Sequence, residues 1–303
     1  MQTRKPKLSI VVLSYNDLPR LKKCIESIKK QTLQDIELII VDNGSERVVI
    51  DYIEQLDRIR LIKLPSNQGI VGFNIGLVNA KSEYIAMFDQ DCILSKNWAY
   101  LAVKELSSEP KTTGVISTRR IEGDFEFLGK KKYTIAFGGS GCIFKKEIVD
   151  KRLLYNEKFF IYENEVELAI RLKNRGYNFI YYPDADYIHD KPERVSNISK
   201  NKFSHYFHYR NALWNIWMHY PLYLVPFDTS MKLLASLLKC IRYGNFLTFL
   251  KTTVNAFRGL PYCIQNREVA KEIPSTTSFD LLFGRNRLDY PPPWVRRGLK
   301  EGK

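Results

Sequence analysis

Ile85-Ala86-Met87-Phe88-Asp89-Gln90-Asp91 runs four apolar residues straight into two carboxylates two positions apart. A short apolar run of this kind reads as a strand buried on both faces. Alternate side chains of a strand share a face, so Asp89 and Asp91 are expected to point the same way at its carboxyl end. Ligands of open α/β sheets sit beyond such ends. Two like charges this close need a cation or a donor network between them. Hard oxygen ligands with room for water and phosphate suit Mg²⁺ or Mn²⁺. The alternative reading is a pair of loop aspartates capping the next helix.

Upstream, strand and helix alternate. Leu8–Leu13 reads as a strand ending in the polar turn Ser14-Tyr15-Asn16-Asp17. Leu21, Ile25 and Ile28 follow at helical spacing. Residues 36–41 form a second apolar run, closed by Asp42-Asn43-Gly44-Ser45, and residues 60–64 a shorter third. This alternation predicts parallel strands joined by right-handed crossovers. Asp42 is thus placed at another strand end. It can accept from a nucleobase N–H or a ribose hydroxyl, or cap the helix expected over 45–56. Asn67-Gln68-Gly69 and Gly72-Phe73-Asn74-Ile75-Gly76 bring glycines to a helix start, where backbone can approach phosphate. They match neither a Walker loop nor Gly-x-Gly-x-x-Gly.

Downstream, residues 98–106 read as a helix and 114–118 as a strand. Lys130-Lys131-Lys132 reads as a solvated loop and Gly138-Gly139-Ser140-Gly141 as a turn able to shape an acceptor pocket. In Phe159-Phe160-Ile161-Tyr162-Glu163-Asn164-Glu165-Val166-Glu167-Leu168, the pair Asn164 and Glu167 reads as a capping box. That occupies Glu167 and leaves Glu165 in the first turn, where the helix dipole keeps a carboxylate ionised. An ionised carboxylate can take a proton from a sugar hydroxyl within reach. All three acids also suit a helix N-terminus with no chemical role. Residues 179–183 form a further strand, and His189 at the ligand edge is a candidate third metal ligand. His205 and His208 fall in a helix and carry no metal assignment.

The bulk composition narrows the classes. The 303 residues are 45% hydrophobic, ample for a core in one large domain or a domain with an extension. Five scattered cysteines without Cys-x-x-Cys argue for a reducing compartment, against zinc and against a disulfide framework. No secretory leader is legible at the start, and no apolar run reaches the roughly 18 residues of a spanning helix. The expected setting is therefore cytoplasmic. Of the +14 net charge, residues 191–303 carry 18 Lys+Arg against 7 Asp+Glu, and residues 1–190 carry 29 against 26. Charge alone admits a nucleic-acid binder, but no aromatic-basic module is evident and no nucleic-acid partner is expected.

The motifs taken in order resemble the family 2 glycosyltransferases. They run from Ile10-Val11-Val12-Leu13-Ser14-Tyr15-Asn16 through Val41-Asp42-Asn43-Gly44-Ser45, the Asn67 to Gly76 stretch and Asp89-Gln90-Asp91. Gly138-Gly139, residues 159–171, His189 and Tyr209-Arg210-Asn211 complete them. The resemblance covers about residues 7–220. It implies an α/β GT-A fold, Rossmann-like, with a mostly parallel sheet flanked by helices. It implies that Ser14 and Tyr15 border the nucleobase, that Asp42 holds the base or ribose, and that Asn67 and Asn74 line the donor site. Asp89 then lies near ribose and metal, Asp91 ligates the metal directly, and His189 completes the site. The family's acidic pair aligns with Asn164-Glu165, so Glu165 falls on the base position and its neighbour departs from the pattern. The implied reaction is an inverting transfer from a nucleoside-diphosphate sugar, aided by Mg²⁺ or Mn²⁺, to a hydroxyl of a glycan or lipid-linked acceptor. Asp42 suits a UDP or dTDP donor, and the wording around Asn67 and Asp89 is most like a rhamnosyltransferase branch. The rivals are a nucleotidyltransferase, disfavoured because Ser14-Tyr15-Asn16-Asp17 cannot grip a triphosphate, and an inactive sugar-binding relative, favoured by Asn164.

The expected domains are 1–220, catalytic, and 221–303, a basic helical extension. Trp214, Trp217, Tyr220, Tyr223 and Phe227 precede two helices with apolar stripes at 231–241 and 246–257 beside Lys232, Lys239, Arg242, Lys251 and Arg258. This fits helices lying on an anionic membrane surface, on the cytoplasmic face, or helices that simply pack on the catalytic domain. The tail from Pro291 reads as extended and basic.

Overall fold

The computed structural model describes residues 5–122, 125–126, 130–151, 153–190 and 201–271, without the side chains of 122, 125 and 126. The described residues divide into two compact units, 5–155 with 177–190, and 156–176 with 201–271. The tail from Pro291, read above as extended, lies outside the described residues.

The first unit is a sheet with helices. Its elements are β1 (Leu8–Ser14), α1 (Leu18–Lys29), β2 (Ile36–Asp42), α2 (Arg47–Glu54), β3 (Ile59–Lys63), α3 (Gly72–Asn79), β4 (Tyr84–Asp89), β5 (Cys92–Leu94) and α4 (Trp98–Ser108). They continue as β6 (Thr113–Glu122), β7 (Phe125–Glu126), β8 (Lys132–Thr134), β9 (Cys142–Lys145), α5 (Lys146–Asp150) and, after residues of the other unit, β10 (Asn178–His189). The strand order is β3-β2-β1-β4-β9-β6-β10-β5, with β7 on β6 and β8 on β10. The first four strands are mutually parallel, as the alternation predicts. β9 runs antiparallel between β4 and β6, and β5 antiparallel along β10. Ile10, Val12, Ile40, Ala86 and Phe88 are buried in the main core with Trp98 and Ile143.

Three local readings are corrected. β4 stops at Asp89, and Gln90 and Asp91 form a turn, so the two aspartates are not related by strand alternation. The chain reverses there because β5 must pair with β10 rather than extend β4. Lys130, Lys131 and Lys132 are exposed, as the solvated reading has it, but Lys132 opens β8 rather than lying in a loop, and Lys131 is ion-paired with Glu105 and Glu109. The glycines of α3 serve packing. A Cβ on Gly76 would lie 2.3 Å from Val11 Cγ1 and 2.9 Å from Val41 Cγ2, and one on Gly72 2.8 Å from Leu13 Cδ1. Four residues apart, they share the helix face that lies on β1 and β2.

The second unit is helical: α6 (Asn164–Asn174), α7 (Lys202–His219), α8 (Val225–Arg242), α9 (Phe246–Arg258) and α10 (Leu260–Gln265). By contact, the division falls elsewhere than at residue 220. α7 groups with α8 and α9 because Trp214, Trp217 and Tyr220 are buried in one cluster with Phe159, Leu224 and Ala256. Their indoles are satisfied there, Trp214 donating to Ala256 O at 3.0 Å and Trp217 to Thr229 Oγ1 at 2.9 Å. The aromatic run expected at a membrane interface is thus mostly core. No described helix is long and apolar enough to cross a membrane.

Two stability predictions follow from this packing. Gly76→Ala, although alanine is the better helix former, should lose about 1–3 kcal/mol by overpacking α3 against the sheet, read from chemical denaturation midpoints. His205 of α7 is buried against Ser236 Oγ (2.9 Å) and Cys240 Sγ (3.2 Å) of α8. Burial, then Lys239 and His208, lowers its pKa to about 4. The unfolded chain therefore takes up the proton first. The stabilisation should be complete above the ordinary histidine value and be lost as pH falls from about 6.5 towards the folded value. Denaturation midpoints of the native chain should fall over that window more steeply than those of His205→Gln.

Candidate functional site

In the first unit, the strand order reverses between β1 and β4, which is where open α/β sheets take ligands. Ser14 pairs in register with Asp42, and Leu13 with Asp89, so the carboxyl ends of β1, β2 and β4 lie side by side. The Gln90 side chain ties this gap shut. Its Oε1 accepts from Ser14 Oγ (3.0 Å) and the Tyr15 N–H (2.9 Å), and its Nε2 donates to Tyr15 O (2.7 Å). The middle residue of Asp89-Gln90-Asp91 thereby fixes both flanking carboxylates relative to Ser14 and Tyr15.

Asp42 is fully buried. Oδ2 accepts from the Ser45 N–H at 3.0 Å, and Oδ1 has no partner. The carboxylate braces the turn but does not cap α2, whose N-cap is Glu46. A buried acceptor without a donor is costly, about 1–3 kcal/mol, unless something else supplies one. Asn43, which the sequence reading passed over, is the hub of the next layer. Its Nδ2 donates to Asn67 Oδ1 and Gly69 O, both at 3.0 Å, and its Oδ1 accepts from the Gln68 N–H at 2.8 Å. Asn67 is thus held in place by its neighbours. Asn74 has its amide on the main chain of Tyr155, accepting at 3.0 Å and donating at 2.8 Å, a structural clasp.

Beyond β4, Asp91 Oδ1 lies 3.1 Å from His189 Nε2. His189 ends β10 and stands in register with Cys92, so the two side chains share a face. Asp91, Cys92 and His189 offer donor atoms within 4.8 Å of one another; Asp89 is outside that group. Burial first, then Asp89 and Asp91, pushes the Cys92 thiol well above its ordinary value, which disfavours a thiolate in the free chain. The effective donors are one carboxylate and one imidazole, which fit Mn²⁺ or Mg²⁺ with oxygen ligands from a diphosphate. His189 Nδ1 is buried without a partner. The Asp190 N–H donates to Asp91 O at 2.7 Å, and Lys23 Nζ meets Asp190 Oδ2 at 2.8 Å, which pins this corner to α1.

In the second unit, the turn before α6 is strained. Tyr162 and Glu163 have φ of 65° and 63°, left-handed values that non-glycine residues rarely adopt in succession. α7 holds the turn with three side chains. Asn211 Nδ2 donates to Ile161 O and Tyr162 O, both at 2.8 Å, and Asn215 Nδ2 to Glu163 O at 3.2 Å. His208 Nδ1 lies 3.2 Å from Glu163 Oε1. The expected capping box does not form. Glu163 is the N-cap, and Asn164 is the first helical residue, fully buried, donating to Phe159 O. Glu167 pairs with Arg171 at 2.7 Å instead of reaching back. Glu165 is half-buried in the first turn of α6. Asn211 and Asn215 were missed; Asn211 was visible only as part of Tyr209-Arg210-Asn211.

The Glycosyl transferase family 2 model matches residues 9–166. An uncharacterized glycosyltransferase of Haemophilus influenzae is 26% identical over 192 residues, 61% of this chain and 58% of that protein. A protein of Campylobacter jejuni named GalNAc(5)-diNAcBac-PP-undecaprenol beta-1,3-glucosyltransferase is 28% identical over 226 residues, 67% of this chain and 72% of its own. The chain spans less than two thirds of the length of several curated relatives it matches. Among solved structures, the mannosyltransferase PcManGT of Pyrobaculum calidifontis, in complex with GDP-Man and Mn²⁺, has a TM-score of 0.57 at 17% identity, covering 87% of this chain and 84% of that one. That likeness shows the α/β GT-A-like fold. With more than half of the sequence inside the family match, this chain belongs to glycosyltransferase family 2.

Proposed function

We propose that this glycosyltransferase moves a sugar, with inversion, from a nucleoside-diphosphate sugar to a hydroxyl of a glycan or lipid-linked acceptor in cell-surface polysaccharide or glycolipid assembly. The observation that carries the donor half is the Asp91–His189 pair, formed between the turn after β4 and the end of β10, with Gln90 of that turn bound to Ser14 and Tyr15 at the end of β1. Asp91 and His189 would hold a divalent cation there, with Asp89 beside them. A cation so held supplies positive charge to the diphosphate leaving group. The likeness to a transferase solved with Mn²⁺ supports this choice of ion.

Asp42 receives the base. Its buried Oδ1 lacks a donor, and the N3–H of a uracil or thymine would supply one, in keeping with the UDP or dTDP donor read from the sequence. A dTDP-rhamnose donor rests on the sequence wording alone. Ser14 and Tyr15 border the base, and Asn67, braced by Asn43, lines the pocket. For Asn74 the Tyr155 clasp leaves a supporting role. The relative whose name specifies a polyprenyl-diphosphate-linked glycan supports an acceptor of that class.

The reaction is a single in-line displacement. The acceptor oxygen bonds to the anomeric carbon as the bond to the diphosphate oxygen breaks, and Glu165 takes the hydroxyl proton. Glu165 lies half-buried in the first turn of α6, where the helix dipole favours a carboxylate. Asn164 in the family's acidic position favours a second reading, a donor-binding protein without turnover. Release of nucleoside diphosphate from a thermal-shift-selected nucleotide sugar decides between them.

Two outcomes are expected. Asp91→Asn and His189→Ala should each weaken Mn²⁺-dependent donor binding by at least about tenfold, measured by calorimetry with and without Mn²⁺; undiminished binding removes the metal assignment. Glu165→Gln should bind donor as tightly as the native chain and lose transfer by about 10²–10⁴-fold. Unchanged turnover in that variant removes Glu165 as the base.

A further inference from the structure

The helical unit leaves an apolar face without a partner among the described residues. On α8, Leu234, Leu238 and Ile241 are exposed at spacings of four and three, so they form one stripe. On α9, Leu247, Leu250 and Val254 do the same, and Leu247 is 80% exposed. The opposite sides of both helices, Ser236 and Cys240 on α8 and Thr252 and Ala256 on α9, are buried. Both helices pack on α7. The leucines therefore face away from the unit's own core, and they are not needed to build it.

The charge around these stripes is one-sided. Residues 225–266 hold Lys232, Lys239, Arg242, Lys251 and Arg258 against a single acid, Asp228, which is buried. Lys239 and Lys251 lie along the rings of Tyr209 and Tyr206, 5.4 and 5.6 Å from the centroids, so their stems border the helices rather than trail into solvent. An apolar stripe with cations at its margins complements a surface that is apolar below and anionic at its rim. A second copy of the same face would set cation against cation. Residues 272–303 carry six Lys/Arg against four Asp/Glu, so the chain's own tail offers no complementary charge either.

We infer that the α8–α9 face docks on an anionic lipid bilayer surface, with Leu234, Leu238, Ile241, Leu247, Leu250 and Val254 entering the interface and Arg242 and Arg258 meeting lipid phosphates. This goes beyond the transfer reaction and does not depend on the identity of the donor. It places the chain on the surface from which a lipid-linked glycan would be presented. The mode is peripheral: two short amphipathic helices lie in the interface, and none spans it.

The test is flotation of the full chain with vesicles of phosphatidylcholine alone and of phosphatidylcholine containing phosphatidylglycerol, at physiological ionic strength. The chain should float with the phosphatidylglycerol vesicles only, and high salt should release it. Leu238→Ser with Leu247→Ser should lower partitioning about tenfold, with an unchanged melting transition because both side chains are exposed in the free chain. Arg242→Glu with Arg258→Glu should lower it about as much. Absence of binding, equal binding to both vesicle types, or undiminished binding by the leucine variant overturns the inference. So does a dimer in sedimentation velocity that Leu247→Ser dissolves. None of these variants touches Asp91, His189 or Glu165, and donor hydrolysis needs no vesicle, so each proposal can fail without the other.

Discussion

A single carboxamide joins the turn after β4 to the carboxyl end of β1. Gln90 accepts from Tyr15 N–H and donates to Tyr15 O, so it behaves as a short piece of strand laid across the gap where β1 and β4 part. Parallel strands that diverge at a switch point leave backbone groups exposed at their ends, and those groups must find partners. Here the sequence supplies them from the turn between two carboxylates. One residue thus satisfies the frayed end of β1 and sets Asp89 on one side and Asp91 on the other. The register of β10 against β5 then brings His189 to Asp91. Sheet geometry and site geometry are one constraint.

The helical unit solves a similar problem with different parts. Two successive left-handed residues, Tyr162 and Glu163, store strain of about 1–3 kcal/mol each. That conformation persists only because Asn211 and Asn215 of α7 hold the carbonyls it exposes. Asn211 is itself fixed by Arg210, whose guanidinium donates to Asn211 Oδ1 at 2.8 Å and rests on the Trp214 ring. A chain of contacts therefore runs from the buried aromatic cluster to the first turn of α6. The Tyr209-Arg210-Asn211 element thereby braces the turn that leads into α6.

Sequence alone carried the parallel half of the sheet, because short β-branched apolar runs bounded by turn residues alternate there with helically spaced segments. It also singled out Asp91 and His189 near strand ends, and the structure sets these two side chains 3.1 Å apart. What it missed depends on pairing between distant segments. The antiparallel insertion of β9, the turn at Gln90 and the clasp of Asn74 on Tyr155 are set by which strand lies next to which, and no local pattern encodes that. The capping box at Asn164 failed for a related reason. Its spacing was right, but burial of Asn164 and the pull of Arg171 on Glu167 outweighed a local hydrogen bond. For the tryptophans the sequence left membrane surface and packed core both open, because aromatic content near basic residues looks the same whether the rings face lipid or core. Only the neighbours of their indole N–H groups tell the two apart.

Two of the polar atoms that the fold buries without partners lie at the strand-end site: Asp42 Oδ1 and His189 Nδ1. Each costs about 1–3 kcal/mol in a free chain, a sizeable share of the 5–15 kcal/mol that holds an ordinary domain together. Burying them bare is poor economy for stability, yet Asp42 sits where Asn or Ser could brace the Ser45 turn equally well. A carboxylate offers what those do not, a second strong acceptor aimed away from the turn it supports. The arrangement makes sense if the missing donor arrives with a ligand, and if the cost of waiting is recovered when it binds. On that view the free chain is strained towards its nucleotide, and donor binding stabilises the sheet edge as well as positioning the sugar.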